Sequence, residues 1–300
     1  MGRKFRHACI NGNLKEVKRL LNNHVVDIHA KNERGFANSC ESGNLELVKL
    51  LLEYAVSINS PIDICSNNQR GFVNACESGN IELVKFLLEH AASTGESIDI
   101  HAKNELVFTC ACENSNTKLV KFLLEHAASI GSPIDIHTRE EWGFICTCFR
   151  GNVDQVKFLL EYAASIGSPI NIHGYSERGF VNACESENIN LVKFLLEYAV
   201  SIDSPIDIHA NKSYAFINVC RTGNYRIIQL LISESMFTSI KYLYDESDKT
   251  GYIFNPDVTS GTPYIHEYHG TLFQTTYNRT PDRNYLDENI HKLARKKSAK

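Results

Sequence analysis

The chain has 300 residues, 43% hydrophobic and 22% charged, with 35 acidic against 31 basic residues and a formal net charge of −4. This is ordinary globular composition, and the slight acidity argues against a duplex-binding surface, which rests on clustered Lys and Arg. No apolar run reaches the ~18–20 residues that span a bilayer, so no membrane segment is expected. The N-terminus lacks the apolar core of a signal peptide. Met1-Gly2 opens like an acylation signal, but Arg6 stands where Ser or Thr is needed.

An aromatic recurs as Phe5, Phe36, Phe72, Phe108, Phe144, Phe180 and Phe216, spaced 31 residues once and 36 thereafter. A fixed period in this range predicts a solenoid of stacked supersecondary units. In the unit around 71–90, Phe72, Ala75 and Cys76 share one face of a first helix, and Gly79-Asn80 turns the chain. Leu83, Val84, Leu87, Leu88 and Ala91 then form the apolar stripe of a second helix, with Glu82, Lys85 and Glu89 toward water. Ser-Pro steps at Ser60-Pro61, Ser132-Pro133, Ser168-Pro169 and Ser204-Pro205 mark connections, because proline disfavours helix in the residue before it. Asn recurs eight residues after each aromatic, from Asn13 to Asn224, and Cys four after it, from Cys9 to Cys220. Helix pairs this short cannot bury their own stripes, so the copies must stack.

The pattern resembles the ankyrin repeat. Ala75-Cys76 stands for the small pair that ends the family's short helix, Gly79-Asn80 for its Gly-His turn, and Leu83-Val84-Lys85-Phe86-Leu87-Leu88 for its Val-Val-x-Leu-Leu-Leu helix. The resemblance covers roughly the first 234 residues and implies an all-α, ankyrin-type solenoid of about seven repeats with a short irregular C-terminal extension. Two departures stand out. The family's Thr-Pro-Leu-His opening is replaced by forms such as Arg70-Gly71-Phe72-Val73. The unit is also three residues longer, with the surplus in the connection that would carry a β-hairpin finger. The Ile-, Asn- and Lys-rich wording is similar to the ankyrin arrays of large DNA viruses.

Residues 1–30 read as a capping repeat, with Arg19, Lys15 and Lys18 supplying a polar outer face. Residues 31–234 form the array, with units starting near 35, 71, 107, 143, 179 and 215. A helical wheel points three first-helix positions away from the core. In the regular units they read Arg34/Asn38/Glu41, Arg70/Asn74/Glu77 and Arg178/Asn182/Glu185. Units four and five break the pattern with Leu106/Cys110/Glu113 and Trp142/Cys146/Phe149, and Trp142 is the chain's one tryptophan. Trp and Arg are over-represented among interface hot spots. Trp142, Phe149, Arg150, Cys146, Leu106 and Arg139 are therefore the expected partner-binding residues. The ankyrin resemblance implies that the middle one of the three positions is apolar and partly packed and that partners are commonly touched at the other two.

The seventh unit starts with Phe216 and Cys220, and Tyr225, Ile227, Ile228, Leu230, Leu231 and Ile232 make its second helix. Residues 235–300 read as a partly ordered extension ending in the basic run Lys292–Lys297, with a small hairpin expected from Tyr252–Phe254 and Leu272–Tyr277. His266-Glu267-Tyr268-His269 is not a zinc-protease motif, because its histidines are three apart rather than four.

Ten cysteines suggest a disulfide framework until their column is noticed. Neighbours in it stand roughly 8–10 Å apart, one helix-packing distance, which is too far for a bridge. Reduced thiols in a cytosol-like compartment are expected. His29, His101, His137, His173 and His209 form another column, with Cys65 in the same slot, but ladder residues a unit apart cannot share a zinc ion. The sequence carries no catalytic order of side chains, phosphate loop or paired-carboxylate pocket. It predicts a cytoplasmic, monomeric, non-enzymatic scaffold or adaptor that binds another protein, a host protein if the virus resemblance holds. No metal, cofactor, membrane or small-molecule substrate is expected. The alternative is nucleic-acid association or nuclear entry through the basic tail.

Overall fold

A computed structural model of the chain describes residues 2–23, 26–208, 210–222 and 224–231, and three strands farther on. The chain divides into two compact units, Met1–Asn211 and Lys212–Lys300. The first holds six helix pairs in series. They are α1 (Gly2–Ile10) with α2 (Leu14–Asn22), α3 (Ala30–Glu41) with α4 (Leu45–Ser57), and α5 (Ser66–Ser78) with α6 (Ile81–Thr94). There follow α7 (Ala102–Glu113) with α8 (Thr117–Ser129), α9 (Thr138–Phe149) with α10 (Val153–Ser165), and α11 (Gly174–Glu185) with α12 (Ile189–Ser201). Each first helix packs on the first helix of the next pair. The array is all-α, as the period predicts, and no described helix is long and apolar enough to cross a membrane.

The core is the column that the period marks. Phe5, Phe36, Phe72, Phe108, Phe144 and Phe180 are buried together with Cys9, Cys40, Cys76, Cys112, Cys148 and Cys184. Burying each such aromatic contributes about 1.5–3 kcal/mol. Stacking is close because the residue before the aromatic is small. A Cβ on Gly143 would lie 2.6 Å from Cε1 of Phe108. Val107 occupies this position in unit four and is fully buried, so the stack also accepts a side chain there.

The Asn column works in two directions. Asn44, Asn116 and Asn152 cap their second helices by accepting from the backbone N–H groups of Leu47, Leu119 and Gln155 at 3.0–3.1 Å. Their Nδ2 groups donate to the preceding unit's Gly12, Gly79 and Ser115 carbonyls at 3.0, 2.6 and 3.1 Å. One side chain thus ends a local orphan donor and staples two units together. The carbonyls it reaches sit in left-handed backbone, φ +73° at Gly79, where glycine carries no Cβ penalty.

No strand occurs among the described residues of the inter-repeat connections. Instead, three successive residues adopt left-handed dihedrals at the start of each first helix from unit two to unit six. These are Lys31–Glu33, Asn67–Gln69, Lys103–Glu105, Arg139–Glu141 and Tyr175–Glu177. Left-handed backbone costs a non-glycine residue about 1–2 kcal/mol, and the bonds described below offset it.

In the second unit, α13 (Ala210–Thr222) and α14 (Tyr225–Leu231) continue the pattern, with Asn224 accepting from the Ile227 N–H at 3.3 Å. Phe216, Ile227, Ile228 and Leu231 are buried. Beyond them, β1 (Lys241–Asp245), β2 (Thr250–Phe254) and β3 (Ile265–His269) form an antiparallel sheet in the order β1-β2-β3. Tyr252 stands opposite Leu243 and Glu267. The expected hairpin is therefore corrected: Tyr252–Phe254 is a strand, but it pairs on both sides with other segments. Leu272–Tyr277, Lys292–Lys297, Ile232 and His209 lie outside the described residues, as do the side chains of Cys220 and Tyr225.

Candidate functional site

The helical wheel held for two of its three rows. Trp142 is 36% exposed and Phe149 51% exposed. They stand seven residues apart in α9, hence on one face and about 10 Å apart along the axis. Arg150, also exposed, follows directly. Its Nε donates to the Glu113 carbonyl at 2.6 Å, and its guanidinium lies 5.9 Å from the Phe149 ring centroid. Its two terminal nitrogens have no hydrogen-bond partner among the described residues. Arg139 is exposed in the left-handed turn and donates from Nη2 to the Lys103 carbonyl at 3.1 Å. Leu106 is half-buried.

The middle row is corrected. Cys146 is only 8% exposed, and Cys110, Asn38, Asn74 and Asn182 are likewise buried. Neighbouring units cover this row, and the asparagines use it to donate across the junction: Asn74 to the Ala37 carbonyl at 2.9 Å, Asn182 to that of Ile145 at 3.1 Å. In units four and five a thiol takes the place. Cys110 donates to Glu77 at 3.6 Å and Cys146 to Glu113 at 3.5 Å. Burial pushes the Cys146 thiol up to about 12, and the Glu113 carboxylate acts in the same direction. Cys146 thus belongs to the junction and adds no exposed surface to the patch.

A second feature of these units escaped the sequence reading. Gln155 in α10 stands where the second helices of units two, three, four and six carry Leu47, Leu83, Leu119 and Leu191, and it is fully buried. Its Nε2 donates to the Cys112 carbonyl at 3.1 Å and to Thr147 Oγ1 at 2.9 Å, while its Oε1 accepts from Thr117 Oγ1 at 3.2 Å. A satisfied buried network specifies one packing, here joining units four and five. A Gln where four of the regular units carry Leu was the available signal.

The histidine column forms a latch. His29, His101, His137 and His173 place Nδ1 2.7–2.9 Å from Oε1 of Glu33, Glu105, Glu141 and Glu177. Nε2 meets the next unit's Ser60, Ser132, Ser168 and Ser204 hydroxyls at 2.8–2.9 Å. With the carboxylate ionised, Nδ1 donates to it and Nε2 accepts from the serine. In three of these junctions the same Oε1 also accepts a next-unit backbone N–H, from Asp135, Asn171 and Asp207 at 3.0–3.1 Å. The order of side chains is that of a hydrolase triad. Its recurrence at four junctions, in three of them with a backbone N–H sharing the carboxylate, is instead the behaviour of a structural clamp. Oε2 of Glu33, Glu105 and Glu177 is buried without a partner, a penalty of about 1–3 kcal/mol each that the clamp offsets.

One junction differs. Cys65 replaces the histidine, Gln69 the glutamate and Glu96 the serine, although Gln69 still accepts the Asp99 N–H at 2.7 Å. Asp63, Cys65 and Glu96 form the one trio of metal-ligating side chains found among the described residues, with ligand atoms within 4.8 Å of one another. They have internal partners: Asp63 accepts from the Cys65 N–H at 2.9 Å, and the thiol donates to the Ser97 carbonyl at 3.4 Å. Three donors are also one short of a tetrahedral set. All nine described cysteines are free, and eight are buried.

The family model for ankyrin repeats (three copies) matches residues 5–104, 38–134 and 72–170, which together cover more than half of the chain. Among solved structures, the crystal structure of the human ASB11 ankyrin repeat domain is similar at 19% identity and a TM-score of 0.45, over 70% of this chain and 95% of that one. No curated protein matches. With the helix pairs, the aromatic column and the Asn-capped turns in place, the chain belongs to the ankyrin-repeat family.

Proposed function

We propose that the array is a non-enzymatic scaffold that holds a partner protein on the exposed face of α9. Ankyrin repeats are protein-interaction modules, and one observation supports this face of the array as the site: Trp142 and Phe149 occupy the two outer rows that carry Arg and Glu in units two, three and six. An exposed aromatic pair flanked by arginines suits a partner segment with an apolar side chain beside a carboxylate. The aromatics supply the desolvated anchor, and the unpaired end of Arg150 takes the charge. The stapled, latched stack fixes these groups before the partner arrives, so little ordering entropy is lost on docking. The buried free thiols suit a reducing compartment, and this supports a cytoplasmic place of action. The resemblance to virus arrays makes a host protein the first partner class to seek.

Affinity capture tests this with wild type, the Trp142→Ala/Phe149→Ala variant and a chain ending at Ser235, all checked for helical content. A partner lost from the double variant and kept by the shortened chain supports the reading. A partner lost only on shortening moves recognition to the extension, where the basic run Lys292–Lys297 makes nucleic acid the next ligand to try.

A further inference from the structure

The latch serines share a feature that the scaffold reading does not use. Ser60, Ser132, Ser168 and Ser204 each directly precede a proline, which disfavours helix in the residue before it, and none lies in a helix. Ser132 and Ser168 are exposed, whereas Ser60 and Ser204 are half-buried. Each backbone N–H is anchored to the preceding helix end, Ser132 to the Ala127 carbonyl and Ser168 to that of Ala163, both at 3.0 Å. An exposed serine outside a helix and followed by proline is the local form that a proline-directed protein kinase takes as substrate.

We propose that this column is a set of phosphorylation sites for a proline-directed Ser/Thr kinase, with Ser132 and Ser168 the primary acceptors. In the transfer, Oγ attacks the γ-phosphorus of Mg–ATP. The Oγ–P bond forms, the bond to the β-phosphate oxygen breaks, ADP leaves, and the hydroxyl proton passes to the kinase's catalytic carboxylate. The junction is also prepared for the product. Once the ring takes up a proton from solvent, the imidazole nitrogen now 2.9 Å from Ser132 Oγ, or 2.8 Å from Ser168 Oγ, can donate to the phosphate while Nδ1 stays on its buried glutamate. The array already places a carboxylate in this slot once, since Glu96 replaces the serine beside Cys65, and α5 still packs on α7 there. Phosphorylation would thus exchange a neutral inter-unit hydrogen bond for a charged one at successive junctions.

The test incubates the folded, full-length protein with a purified proline-directed kinase, ATP and Mg²⁺, and maps phosphate by mass spectrometry. A synthetic peptide covering residues 126–140 serves as the unstructured reference. Ser132 and Ser168 should be modified at rates comparable to the peptide and faster than Ser60 and Ser204. Ser129 and Ser165, whose hydroxyls donate to helix carbonyls at 2.7 Å, should stay unmodified. A Ser132→Ala/Ser168→Ala variant with unchanged helical content should lose most of the label. Modification of the peptide but not of the folded chain, or phosphate spread over serines without a following proline, would overturn the proposal.

Discussion

Units three and five share most of their core, Gln155 and Thr147 standing where unit three has Leu83 and Ala75, and they differ on one face. Phe72 and Phe144, Cys76 and Cys148, Val84 and Val156, and Leu87 and Leu159 are equivalent and equally buried. Yet the first helix of unit three presents Arg70 and Glu77 to water where that of unit five presents Trp142 and Phe149. The core asks for nothing in exchange, so the aromatics leave apolar area in water at a cost of about 25 cal/mol per Å². A partner that covers them recovers that cost, and this is why the difference points to recognition rather than to folding.

The comparison breaks first if the cores are not equivalent. Phe72→Ala and Phe144→Ala should each destabilise the array by about 3–5 kcal/mol in urea unfolding, and a near-neutral result for either would remove the common reference. It sharpens if the faces separate. Trp142→Ala with Phe149→Ala should weaken partner binding by at least about 2 kcal/mol, as truncated hot spots do, in a titration with the captured partner. The same variant should leave the unfolding midpoint almost unchanged.

A smaller effect concerns the latch. Glu141→Ala strands both His137 and the Asn171 N–H, and should cost about 1–3 kcal/mol. Gln69→Ala, in the junction without a histidine, strands only the Asp99 N–H and should cost less in the same urea assay. The smallest effect near neutral pH is alkaline. The folded Cys146 thiol keeps its proton up to about 12, whereas an unfolded one releases it near about 8.5. The unfolded state then binds fewer protons, so stability falls as pH rises through that interval. Denaturation midpoints measured across it should decline, and Cys146→Ala should flatten the decline.

What the sequence made legible was local or periodic. The aromatic, Asn and Cys columns carried the helix pairs and their order, and an Arg-to-Trp exchange in a repeating row was visible as a candidate site. What stayed hidden is made between units. The wheel alone turns the middle row to solvent, because a wheel for one helix does not include the next helix that covers Asn74 and Cys146; only the ankyrin resemblance implied that this row is partly packed. The latch was missed because a Glu among charged neighbours, such as Glu105, reads as surface, and its partner serine arrives from the following unit. The left-handed turns were not foreseen because Lys31, Arg139 and Tyr175 give no positive-φ signal of the kind glycine gives.

The most direct test of recognition by the α9 face replaces Phe149 with a photo-reactive phenylalanine analogue and, in a second protein, puts the same analogue at Glu77. On irradiation in the extract that supplies the partner, position 149 should capture one protein covalently and position 77 should not. Equal capture from both positions, or capture from 77 alone, would contradict the account.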